Sequence, residues 1–235
     1  LVKQKKISEI KTDFINNMTH EFKTPIATIN LALDSIINPK IINDQEKILR
    51  YVKMIRDENK RMHGQVENVL RISRLKKKQV EINKEALDMH EVINDAISHV
   101  SLLSNDKKGT ITTNFEAIQS EILVNQFHMT NVLVNMLENA LKYSENSPKI
   151  DVFTQNTNKN LIIKIMDEGI GISKNAQKQI FNKFYREQKG NIHDVKGHGL
   201  GLAYVREILD SHHGTVFVES EKGKGSTFTI KLPLI

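Results

Sequence analysis

Apolar residues near the start of the chain recur in steps of three and four. Ile7, Ile10, Phe14, Met18, Phe22, Ile26, Ile29, Leu33 and Ile36 make one stripe, the pattern of a long amphipathic helix. Asn38-Pro39-Lys40 interrupts it, because proline cannot continue a helix and restricts the residue before it. A second stripe runs through Ile48, Val52, Ile55, Met62, Val66 and Val69, an approximate seven-residue repeat broken by polar Asn59. Two long helices joined by a short break predict an antiparallel hairpin over residues 1–78. A hairpin buries little by itself, so its stripes predict a second copy and a four-helix bundle in the dimer.

Residues 79–83 read as a linker or short strand, and over 84–235 the pattern changes. Asp88 with Glu91 predicts a capping box for a helix over 89–100. Runs rich in Ile, Val, Phe and Thr predict strands at 110–115, 121–124, 149–154, 161–166, 215–220 and 226–232. Helices are predicted at 126–143, 174–182 and 201–211, the last closed by Gly214. This half is expected to be an α/β sandwich, one mixed sheet under a layer of helices, which makes the whole chain α+β.

Composition removes several chemistries. The chain has no cysteine, so disulfides, thiolate zinc sites, iron–sulfur clusters and cysteine nucleophiles are excluded. No apolar run reaches the roughly 18–20 residues that span a bilayer, and no signal peptide is expected within these residues. Lys+Arg minus Asp+Glu is 34 − 28 = +6, which suits a phosphorylated or otherwise anionic ligand. The basic clusters Lys3–Lys6 and Arg71–Lys78 flank helical segments without interleaved aromatics. They read as solvated helix ends, and no nucleic-acid partner is expected.

Ten of the 11 glycines follow residue 100, which directs attention to loops there. Asp167-Glu168-Gly169-Ile170-Gly171 follows a predicted strand. Its glycines let the backbone approach a ligand, and its Asp can accept from an amino group. Gly197-His198-Gly199-Leu200-Gly201 precedes a predicted helix, where bare N–H groups favour phosphate. Taken singly, either loop reads more simply as a tight turn. Between them in interest lies the helix 126–143, with Asn135, Asn139 and Lys142 on one face. Asparagine is a poor helix former, and its carbonyl oxygen suits a hard cation such as Mg²⁺. A polar solvent face is the alternative reading for that helix alone.

The order of these features carries more than any one of them. The Asn-rich helix, Asp-x-Gly-x-Gly, Phe181-x-x-Phe184, Gly-x-Gly-x-Gly and Gly223-Lys224-Gly225-Ser226-Thr227-Phe228 together resemble the catalytic, ATP-binding domain of sensor histidine kinases, a Bergerat-type (GHKL) fold. The resemblance implies ATP and Mg²⁺ as cofactors. It implies that Asp167 accepts from the adenine amino group and that Gly169 and Gly171 shape the adenine pocket. Asn139 would ligate Mg²⁺ with Asn135 alongside, and Lys142 and Tyr143 would contact phosphate or ribose. Gly197, His198, Gly199, Leu200 and Gly201 would close over the phosphates, with Phe181 and Phe184 anchoring a lid at 186–196. Thr227 would complete the pocket. Hydrolytic members of the wider superfamily carry Glu where this chain has Asn135. Asn cannot act as a base, which favours transfer to another nucleophile over hydrolysis.

A nucleophile is offered by Thr19-His20-Glu21-Phe22-Lys23-Thr24-Pro25. At about 100° per residue His20 falls about 200° from the apolar stripe, so it is expected to face outward. Pro25 stands inside a long helix, where it frees a backbone carbonyl. The segment resembles the H-box of the histidine kinase dimerisation and phosphotransfer domain. That resemblance makes His20 the phosphoacceptor, Glu21 the carboxylate that orients its ring and takes its proton, and Thr24 the hydroxyl that places a water for dephosphorylating a partner. It implies a protein-histidine kinase acting as a homodimer, whose cognate partner is a response regulator receiver domain. The chain is expected to be a cytoplasmic portion of a parent anchored in the inner membrane, touching membrane only through segments before Leu1. A protein that mainly dephosphorylates its regulator, and a nucleotide-binding scaffold, are the alternative readings; the joint presence of His20 and Glu21 speaks against the scaffold.

Overall fold

A computed structural model of the chain describes residues 2–75, 83–144, 147–185 and 199–235. The chain divides into two compact units, Leu1–Lys78 and Gln79–Ile235.

In the first unit α1 (Val2–Ile36) and α2 (Gln45–Leu75) pack against each other as a hairpin. The connection is built locally. Asn38 O accepts from the N–H groups of Ile41 and Ile42, and Asp44 caps α2 by accepting from Lys47 N–H at 3.1 Å. The apolar stripe expected on α1 divides in two. Met18, Pro25 and Ala32, seven residues apart, are buried, and Phe22, Ile29 and Ile36 are half-buried. Ile15, Ile26, Leu33 and Ile37 are exposed along one flank. One neighbouring helix can cover only part of so wide an apolar face.

The second unit places a five-stranded sheet beneath helices. In chain order its elements are β1 (Glu85–Asp88), α3 (Met89–Asp106), β2 (Thr110–Phe115), β3 (Glu121–Val124), α4 (Gln126–Tyr143), β4 (Lys149–Asn156), β5 (Asn160–Asp167), α5 (Lys174–Gln177), α6 (Gly201–Ser211), β6 (Thr215–Glu221) and β7 (Gly225–Pro233). The sheet order is β2-β4-β5-β7-β6, with β2 and β4 parallel and the other neighbours antiparallel. The helices α3, α4 and α6 pack side by side. Their apolar stripes, such as Met129, Leu133, Met136 and Leu137 on α4, bury with Ile150, Ile163, Ile165 and Ile230 from the sheet.

Three elements differ from the sequence expectation. A strand at 85–88 pairs with β3 as a separate two-stranded ribbon, although Glu-Ala-Leu-Asp lacks the β-branched residues that signal a strand; pairing makes it. The helix expected at 174–182 spans only Lys174–Gln177. Ser173 caps it, but the carbonyl of Ala176 then accepts from both Gln179 and Ile180 N–H, and Asn182 N–H bonds back to Gln179 O. The chain thus tightens into turns, and Phe181 meets Phe228 edge-on at 6.4 Å between centroids. Helix α3 also runs to Asp106, beyond the expected residue 100.

Candidate active site

Helix α4 forms the spine of the candidate site. Asn125 caps it, its side chain accepting from His128 N–H at 3.0 Å. Asn135, Asn139 and Lys142 share a half-buried face outside the helix's buried stripe. That face meets both glycine turns. Near its middle, the Asn135 Nδ2 amide donates to Asn131 O at 2.7 Å, leaving Oδ1 toward the start of α6. A side chain at Gly201 would meet that oxygen at 2.7 Å, so glycine is what lets α6 begin there. At the C-terminal end, Tyr143 O accepts from Ile170 N–H at 3.1 Å, and a Cβ at Gly169 would sit 2.7 Å from the same oxygen. Asn139 lies one turn from Asn135 and one from Tyr143, between the two contacts. Lys142 Nζ sits 5.4 Å from the centre of the Tyr143 ring. Lys107 fixes this end of α4 by donating to Leu141 O at 2.7 Å.

Asp167 closes β5. Its Oδ1 accepts from Gly169 N–H at 2.8 Å, and Ser226 N–H also donates to the carboxylate. Burial pushes the Asp167 carboxyl up from its ordinary value, and the two N–H bonds oppose the rise. Such a carboxylate gains from a further donor. The surrounding backbone is packed at contact. Gly171 has φ +65° and would place a Cβ 2.0 Å from Glu221 O; Gly225 has φ +102° and would place one 1.9 Å from Asp167 O. No side chain fits at either position.

The phosphate end is expected at α6. Leu200 is its N-cap and makes no side-chain cap, and the first N–H groups of α6 carry the positive end of the helix dipole. Gly199, at φ +66°, accepts from Phe184 N–H at 2.9 Å, and Phe184 itself holds φ +68°. Gly197, His198 and the stretch 186–196 lie outside the described residues.

The register sets one expected contributor apart from Asp167. Thr227 pairs with Met166, whereas Ser226 pairs with Asp167. Successive side chains alternate across a sheet, so Ser226 shares the side of Asp167 and Thr227 points to the opposite face. Ser226, buried and 3.0 Å from Ser220 Oγ, is a residue the sequence reading passed over. Only the pairing phase could have found it.

In the first unit, His20 and Glu21 lie within α1, and their side chains fall outside the described residues. Thr24 is exposed, with its carbonyl accepting from Thr28 Oγ1 at 3.1 Å. Pro25 stands inside the helix and, lacking an N–H, donates nothing to the carbonyl of residue 21.

The donor set fits a magnesium nucleotide. Asn139 offers a hard amide oxygen and, among the described residues, its side chain makes no hydrogen bond. Gly201 and Gly169 leave room where any side chain would fill the cradle.

Comparison with known proteins agrees with this geometry. Residues 10–78 match the His Kinase A (phospho-acceptor) domain. Residues 124–235 match the ATPase family described as histidine kinase-, DNA gyrase B-, and HSP90-like. The chain is 44% identical over 235 residues to the sensor protein RprX of Bacteroides fragilis (strain YCH46), covering 99% of this chain and 45% of that protein. It thus spans about half the length of that relative. Among solved structures, full-length ShkA in complex with AMPPNP superposes with a TM-score of 0.69 at 21% identity, covering 97% of this chain and 46% of that one. The histidine kinase ThkA in complex with the response regulator protein TrrA gives 0.69 at 18% identity, covering 99% and 64%. At these identities the two structures speak to fold alone. A phospho-acceptor hairpin joined in one chain to this ATPase fold places the protein in the sensor histidine kinase family.

Proposed function

We propose that this chain is the kinase core of a dimeric sensor. It binds Mg·ATP in its second unit, transfers the γ-phosphoryl group to His20, and passes it on to an aspartate of a response regulator receiver domain. The observation that carries this reading is α4. One helix meets both glycine turns and holds Asn139 between them, in a chain whose other unit matches the phospho-acceptor domain. Asp167 receives the adenine amino group, with Ser226 beside it. Gly169 and Gly171 shape that pocket. Lys142 and Tyr143 face ribose or phosphate, and Gly197 to Gly201 with the N–H groups of α6 cover the phosphates. Asn139, with Asn135 alongside, would hold Mg²⁺ through an amide oxygen, and the ion would neutralise charge that develops on the phosphates.

At His20 the Nε2 lone pair attacks the γ-phosphorus while the bond to the β–γ bridging oxygen breaks, and ADP leaves with that electron pair. Glu21 orients the imidazole and takes the proton from Nδ1. Asn135 cannot deprotonate water, which protects ATP for this transfer. Thr24 places a water against the phosphorylated regulator, so the same hairpin also dephosphorylates it. ThkA, solved with a response regulator, supports that choice of partner.

The exposed flank of α1, Ile15, Ile26, Leu33 and Ile37, with Val52 and Val66 on α2, supports a second copy as its cover. Among the described residues no helix is long and apolar enough to cross a membrane. The core faces the cytoplasm, where ATP is available, and segments outside this chain anchor the parent in the inner membrane.

The test is incubation with ATP labelled at the γ-phosphate and Mg²⁺, alongside His20→Ala. Wild type is expected to retain acid-labile, alkali-stable label and the variant none. Equal labelling of both would remove His20 from the mechanism. Nucleotide binding without labelling of either would reduce the protein to a phosphatase or scaffold.

A further inference from the structure

One ion pair outside the nucleotide-binding groups joins two parts of the site's frame. We propose that Lys183 and Glu207 are positioning residues for the phosphate end of the nucleotide site, an inference that rests on the reading of that site given above. Lys183 Nζ lies 2.7 Å from Glu207 Oε2, and each side chain is 28% exposed. Glu207 Oε2 itself is buried and, among the described residues, receives no hydrogen bond of normal geometry. The ammonium charge therefore compensates that oxygen, and a carboxylate so placed loses more when its cation is removed than an exposed pair would.

The position of the pair gives it leverage. Glu207 is on α6, six residues and about 9 Å along the axis from Gly201. Lys183 stands in the turns that follow α5, immediately before Phe184. Phe184 holds a left-handed φ of +68°, which a non-glycine residue keeps only when its surroundings enforce it. Its N–H bonds to Gly199 O at 2.9 Å, one residue before the N-cap of α6. Phe181 fastens the same turns to the sheet through Phe228, and Lys183 fastens them to the body of α6. The ion pair thus sets the turn against the helix. Through the Phe184–Gly199 bond it sets where the glycine turn delivers the first N–H groups of α6. The adenine end is held separately, by Asp167, Gly169 and the end of α4. Loss of the pair should therefore be felt by phosphates and not by adenine.

The experiment measures binding of ATP and of adenosine, in Mg²⁺, to the full chain carrying Lys183→Met, Glu207→Gln, or the exchanged pair Lys183→Glu with Glu207→Lys. Each single variant is expected to weaken ATP binding about fivefold to tenfold and to change adenosine binding less than about twofold. The exchanged pair is expected to recover most of the ATP affinity. Equal loss for ATP and adenosine, or an exchanged pair that folds but recovers nothing, overturns the positioning role and leaves the site reading intact. Failure of the wild-type chain to bind ATP overturns the site reading, and this inference with it.

Discussion

Leu133 and Leu33 are the same residue type, each inside an amphipathic helix, yet one is 1% exposed and the other 47%. Leu133 faces a sheet whose side chains, Ile150, Ile163 and Ile165 among them, are out of water. Leu33 lies on the flank of a hairpin whose described buried apolar residues are few and small-faced, Met18, Pro25 and Ala32. The unit that matches the ATPase family has its own closed core. The unit that carries His20 has an apolar face that its own two helices do not cover. Rigid geometry is needed where a cofactor must be cradled, and an open face is needed where assembly completes the fold.

The comparison breaks most sharply at those two leucines. Leu133→Ala is expected to cost about 2–5 kcal/mol, as a cavity in a packed core does. Leu33→Glu is expected to leave thermal unfolding of the second unit unchanged and to convert the chain to monomer in sedimentation. Calorimetry of both variants, with sedimentation at micromolar concentration, checks the pair. A dimer that survives Leu33→Glu would show that the exposed flank is not the assembly surface.

A smaller effect separates binding from stability within the second unit. Burial raises the Asp167 carboxyl, so an ionised Asp167 disfavours the folded state at neutral pH, the sign opposite to a salt-bridged acid. Asp167→Asn removes the charge while keeping an acceptor for Gly169 N–H. The expected outcome is a melting temperature equal to or above wild type, with ATP affinity lower by about tenfold or more, since the new amide offers the adenine amino group a donor where it needs an acceptor. A variant that loses stability and keeps affinity would return Asp167 to a purely structural role.

The sequence carried these units unequally. Helix α4 matches the expected 126–143 to its ends, with apolar residues regularly spaced from Met129 to Leu141; its Asn125 cap is what the structure adds. Five of the sheet's strands could be placed from β-branched runs. The ribbon strand 85–88 could not, since its residues become a strand only opposite β3. The stripe on α1 read as one face because spacing does not say how many partners share it. That Ser226 rather than Thr227 shares the side of Asp167 was hidden for a related reason. A period of two fixes which side chains go together, but only the pairing of β5 with β7 fixes the side on which Asp167 lies. The Lys183–Glu207 pair, 24 residues apart in sequence, had no local signal at all.

The mildest effect expected comes from His212, which sits in the second unit's core rather than in its nucleotide site. It is 2% exposed at the end of α6. Its Nδ1 faces Ile208 O at 2.8 Å and its Nε2 faces Asn125 N–H at 3.1 Å. Those partners require a proton on Nδ1 and a bare Nε2, hence a neutral ring. Burial lowers its pKa from the ordinary 6.5, and the nearby charges of Lys84, His128 and His213 lower it further. A base with a depressed folded pKa contributes stability that is fully present above its unfolded value. As pH falls below about 6.5 the unfolded chain takes up the proton first, and stability declines until the folded ring is protonated too. Protonation of Nε2 also removes the acceptor for Asn125, the residue that caps α4 and donates through Nδ2 to Asn83 O. The bond itself is worth about 1 kcal/mol, so the decline should be shallow and gradual. Thermal melts from pH 8 to 5 are expected to fall less steeply in His212→Gln than in wild type, because the variant has nothing to titrate at this site. Parallel curves would assign the acid sensitivity to another histidine.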